Sequence, residues 1–145
     1  MNRRRRKKLS KRLVGAALVD DIAQVRALLR AGAPAETADA AGTTPLYQAS
    51  VNGSAGIVRL LLAAGASPDT ESGIGSEGTP LCGAACWGHT ETVRALIEHG
   101  ADPNLREDHG TGRSPLEWAA HGPHPETVDV LVAAGARRLP RLPRA

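Results

Sequence analysis

Cys82, Cys86 and His89 stand four and three residues apart in GTPLCGAACWGHTETV, and they include both cysteines of the 145-residue chain. On an unbroken helix, positions i, i+4 and i+7 share one face. Two thiolates and an imidazole on such a face would suit a transition metal such as zinc. Gly88 works against that geometry, because it ends a helix before His89. A fourth ligand would have to come from His121 or His124, at no recognised ligand spacing. The expectation is two small semi-buried thiols, the usual behaviour of free cysteine, with no metal and no cofactor.

A second pattern, Gly73-Ile74-Gly75-Ser76-Glu77-Gly78, matches G-x-G-x-x-G, and Glu98 follows Gly78 by 20 residues. A dinucleotide site needs a buried strand before that motif and a long helix after it. Here the polar run PDTES precedes it and a short helix follows, so it reads as a hairpin tip. The five histidines (His89, His99, His109, His121, His124) fall in loops or at helix ends, outside any nucleophile motif. The acids read as solvating charge along helices and loops. An enzyme is not expected.

Charge is unevenly placed. Residues 1–12 carry eight Lys or Arg and no acid, and residues 137–145 carry four Arg and no acid. Six basic residues remain against all fifteen acids between them, so an acidic body lies between two basic ends. Arg3, Arg4, Arg5, Arg6, Lys7 and Lys8 are candidates for contact with a polyanion, either nucleic acid or an anionic membrane surface. The other readings are a solubilising arm and a targeting patch. The run Leu13–Val19 is at the lower limit for a signal-peptide core and meets Asp20 and Asp21 with no clear A-x-A cleavage site, so export is not expected. No apolar run approaches the roughly 20 residues of a membrane span. A cytoplasmic, monomeric protein is expected.

The elements that position these residues are repeated. Thr44-Pro45-Leu46, Thr79-Pro80-Leu81 and Ser114-Pro115-Leu116 are 35 residues apart, and each is followed after 21 residues by Gly-Ala, at Gly65, Gly100 and Gly135. Counting back 21 from Gly32 reaches Lys11, the start of an atypical first unit without the proline. Thr or Ser before Pro is a helix start, as N-cap and first helical residue. Ser114 with Glu117 has the form of a capping box. Small pairs such as Ala84-Ala85 let helices approach. A second helix follows, with apolar residues at i, i+3, i+4: Val25, Leu28, Leu29; Val58, Leu61, Leu62; Val93, Leu96, Ile97; Val128, Leu131, Val132. Each Gly-Ala glycine suits a left-handed helix end. Polar linkers rich in Gly, Asp, Pro and Ser separate the units. One unit buries only one face, so four must stack into an all-α solenoid with protruding fingers.

TPLYQAS, TPLCGAACWGHTETVRALIEHGADPN and SPLEWAA, with AGIVRLLLAAGASPD and PETVDVLVAAGA, resemble the ankyrin-repeat family. The resemblance covers residues 11–136, in units 11–38, 39–71, 72–106 and 107–136, between a disordered basic arm (1–10) and a basic tail (137–145). Tyr47, Cys82 and Glu117 replace the family's signature His, which implies weaker coupling between units. Leu139 and Leu142 are expected to pack on the last helix pair, or the basic tail to shield it. The resemblance further implies a non-enzymatic protein-interaction module that binds a protein partner through its concave face and hairpin tips. Carried over to this chain, the contact positions are Ala40, Ala41, Thr43, Val51, Asn52, Cys86, Trp87, Arg113 and His121. Trp87 is the anchor, since interface energy concentrates in Trp, Tyr and Arg. Trp118, beside an Ala pair, is expected in the core.

Overall fold

Three helices begin where a hydroxyl precedes proline. The side chains of Thr44, Thr79 and Ser114 accept hydrogen bonds from the backbone N–H of Tyr47, Cys82 and Glu117. Proline at the next position loses nothing, because its N–H would be unpaired there. In this computed structural model residues 1–74 and 77–138 are described. Their elements are α1 (Arg3–Leu18), α2 (Ile22–Arg30), α3 (Pro45–Asn52), α4 (Ala55–Ala63), α5 (Pro80–Cys86), α6 (Thr90–Glu98), α7 (Glu107–Gly110), α8 (Pro115–His121) and α9 (Pro125–Ala133). No strand occurs among the described residues. The single turn α7 is a left-handed finger tip, with Asp108 and His109 both at φ 53°. The expected contacts of Leu139 and Leu142, and residues Gly75 and Ser76 of the glycine motif, lie outside the described residues.

The helices pair as α1–α2, α3–α4, α5–α6 and α8–α9. The pairs stack in two rows, α1–α3–α5–α8 inside and α2–α4–α6–α9 outside. One apolar ridge runs through all four layers, from Leu13 and Val25 through Leu46, Val58, Leu61, Leu81, Val93 and Leu96 to Leu131. It thins at the last unit, where Val128 is only partly buried and Val132 is 53% exposed. The Gly-Ala glycines, Gly32, Gly65, Gly100 and Gly135, all have the expected positive φ.

The first ten residues depart from expectation. Where a basic arm was expected, residues 3–10 form the opening turns of α1, which runs 16 residues, about 24 Å. Asn2 caps it by accepting from the N–H of Arg5, and Arg and Lys are good helix formers. Leu9 is buried one turn before Leu13, so the apolar stripe anchors the extension.

The missing signature histidines do not leave the units untied. Nε2 of His89 donates to the carbonyl of Val51 at 2.9 Å, and Nε2 of His124 to that of Cys86 at 3.0 Å. Both bonds reach back to the equivalent carbonyl of the preceding unit. At the first junction the amide of Asn52 donates to the carbonyls of Ala17 and Leu18. Gly53 and Gly88 make room for the rings. They sit at φ 73° and 69°, and a Cβ there would come within 2.6 and 2.5 Å of the next unit's imidazole Nδ1.

The fingers are stapled as well. Glu36 accepts from the N–H of Ser67, Asp69 from that of Asp102, and Asn104 from that of Arg137. These acceptors each stand four residues after the glycine of a Gly-Ala pair. The acids among them are structural joints and not merely solvating charge.

Candidate functional site

The inner helices and the second and third fingers enclose a groove of about 320 Å³, lined by Tyr47, Glu77, Cys82, Gly83, Cys86, Trp87, Glu107, Asp108 and Trp118. Gly83 keeps its floor low: a Cβ would lie 3.1 Å from Val51 Cγ2 and 3.3 Å from the Tyr47 ring. Trp87 follows directly on α5 as its C-cap and stands 63% exposed.

Two carboxylates in the groove are held in place. Glu77 Oε1 accepts from the hydroxyls of Thr43 and Ser72, both at 2.9 Å. Glu107 Oε1 accepts from the indole N–H of Trp118 at 2.8 Å. Burial raises the pKa of Glu107, and the nearby Asp108 and Glu71 add to the rise. Tyr47 is pushed up to about 12, first by burial and then by Glu77 and Glu107, so it stays a neutral phenol. Among the described residues, no cationic residue lines the groove. Arg113 stacks over the Trp118 ring at 4.7 Å, so an aromatic at this rim already carries a guanidinium.

The motif that suggested metal chemistry is divided among other tasks. Cys82 is buried, and its thiol points to the carbonyls of Arg113 (3.5 Å) and Leu105 (3.9 Å). Burial pushes its pKa up to about 12, which opposes the thiolate needed for metal binding or nucleophilic attack. Cys86 is half-buried, and its pKa is likewise raised by burial. His89 is occupied with Val51 in the junction between units.

The residues expected at the interface separate into free and engaged. Ala40 and Ala41 are exposed at the first finger, and Arg113 and His121 are exposed near α8. Of these only Arg113 approaches the groove, through its stacking on Trp118. Thr43 is buried with its hydroxyl on Glu77, and Asn52 uses its amide to bind the end of α1. Val51 is half-buried, with its carbonyl taken by His89. Trp118 is partly buried against the core and also lines the groove, a double role its place beside the Ala pair did not suggest. Sequence reasoning missed Tyr47, Glu77, Glu107 and Asp108. Glu77 and Glu107 open and close the interval that holds the conspicuous T-P-L helix, and only the fold brings them to one groove.

A model of the ankyrin repeat matches residues 41–72, and a model of ankyrin repeats in three copies matches residues 69–138. The chain belongs to the ankyrin-repeat family. The matches cover the second to fourth helix pairs, while α1 and α2, which carry the atypical first unit, lie outside them. No curated protein matches the chain. Ankyrin stacks are in general protein–protein interaction modules and generally not enzymes. No helix among the described residues is long and apolar enough to cross a membrane.

Proposed function

We propose that this ankyrin stack is a non-enzymatic binding module whose partner protein docks in the groove between the second and third fingers. The observation that carries this reading is Trp87. It is a large aromatic side chain left 63% exposed at the mouth of a groove that also holds Tyr47 and Trp118. Exposed aromatics set in a cleft are where binding energy concentrates. Glu77, Glu107 and Asp108 give the groove an acidic lining, with Arg113 near Glu107 at its rim, which favours a partner segment bearing Arg or Lys. Cys86 and Gly83 form the floor, and Arg113 and Ala41 stand on neighbouring finger surfaces.

Affinity capture with wild type and Trp87→Ala tests this. The expected outcome is a protein retained by wild type and lost from the variant, with helical circular dichroism unchanged. Equal retention by both would remove the groove from the binding site.

A further inference from the structure

The basic N-terminus and the first finger, separate in the sequence, form one cleft. Arg4, Lys7, Lys8 and Lys11 stand at i, i+3, i+4 and i+7 of α1, along one helix face. They form one wall, and Ala38, Asp39 and Ala40 form the other, around about 370 Å³. That size falls within the roughly 300–1,000 Å³ of ligand clefts. The lining is mainly apolar, as alanine methyls and the methylene stems of the basic side chains supply. The Asp39 carboxylate is turned to its own finger, where Oδ1 accepts from the N–H of Ala41 (2.9 Å) and of Thr43 (3.1 Å). Among the described residues, none of these four cations lies within ion-pair distance of a carboxylate.

We infer that this cleft receives an acidic, extended segment of a protein partner, its carboxylates on Arg4, Lys7, Lys8 and Lys11 and its apolar side chains against Ala38 and Ala40. The inference rests on the protein-interaction reading and adds a second, oppositely charged contact to it. Charge complementarity selects the acidic partner, and the apolar walls select a peptide over a nucleic acid. Among the described residues, no aromatic ring lines the cleft for bases to stack on. A duplex, whose major groove alone is about 12 Å wide, would touch the cations from outside without entering. Membrane insertion is opposed by the other face of α1, where Leu9, Leu13, Ala16 and Ala17 are already buried in the stack.

The probe is a short fluorescent peptide alternating Glu with Ala or Leu, compared with an oligothymidylate and with vesicles containing phosphatidylserine. At about 50 mM salt, where exposed charges are weakly screened, the full chain binds the peptide. Lys7→Glu combined with Lys11→Glu weakens binding at least about tenfold. Ala40→Arg separates insertion from simple attraction, because it adds a cation while filling the cleft. Weaker peptide binding by Ala40→Arg is the expected result. These residues are exposed, so the helical signal of every variant should match wild type.

Stronger peptide binding by Ala40→Arg would overturn the inference, as would no binding at low salt or binding indifferent to the double charge reversal. Tighter binding of oligothymidylate or vesicles than of the peptide would replace it with a polyanion surface. If the peptide fails to bind while capture still depends on Trp87, this inference falls and the groove reading stands. If the peptide behaves as expected but capture ignores Trp87, the groove reading falls instead.

Discussion

The cleft at the first unit and the groove at the third are similar in size and opposite in chemistry. The cleft is basic, has no aromatic lining, and is walled by a helix that the basic residues themselves build. The groove is acidic and aromatic, and is walled by fingers held together through hydrogen bonds. The difference shows how a repeat can diversify. The apolar ridge is the same in every layer, while the finger tips and the exposed face of the inner helices vary freely. It also shows two means of support. The cleft depends on Leu9 and Leu13 anchoring α1, whereas the groove depends on polar ties between units at His89 and His124.

The largest expected effect comes from the apolar anchor. Leu13 is fully buried, and Leu13→Ala should cost about 2–5 kcal/mol. Denaturant unfolding measures the loss, and amide exchange should show α1 opening well before α5 and α6. Uniform opening of the whole stack would mean that the two regions do not differ in their support.

His89→Ala should cost about 1–3 kcal/mol, because it leaves the Val51 carbonyl without its partner. It should loosen the groove while leaving acidic-peptide binding at α1 unchanged. A loss of peptide binding in this variant would show the two regions to be coupled.

A smaller effect is expected in the pH dependence of the groove. Burial raises the pKa of Glu107, so its ionisation opposes folding. Its contribution to stability is present below the ordinary carboxylate range and is lost as pH rises through the higher folded-state value. Thermal unfolding between about pH 4 and pH 7 should therefore show less decline in Glu107→Gln than in wild type. Gln keeps an oxygen for the Trp118 indole. A steeper decline in the variant would reverse the sign assigned to Glu107.

Spacing made the stack legible. The T/S-P-L and Gly-Ala intervals reflect helix starts and ends, which are local events that one segment of chain decides. The polar ties were not legible, because His124 and Cys86, or Asn104 and Arg137, stand 38 and 33 positions apart in the sequence. The helix at residues 3–10 was hidden by its charge. Six consecutive cations suggest a solvated arm, and the single Leu9 that pins them carries little weight in a sequence pattern. Trp87 stood out in the sequence as a residue type in which interface energy concentrates, and the fold leaves it 63% exposed. Glu77 and Glu107 were not, since fingers of that composition read as ordinary turns.

Two tryptophans give the chain two indole N–H signals, and both belong to groove residues. An NMR titration of the isotopically labelled chain with an acidic peptide and, separately, an Arg-containing basic peptide therefore reads both regions at once. The acidic peptide should shift the amides of Lys7, Lys8, Lys11 and residues 38–40 and leave both indoles still. The basic peptide should move the Trp87 indole and the Gly83 amide and leave α1 still. The same set of shifts from both peptides, or none from either, would contradict the existence of two separate, oppositely charged binding surfaces.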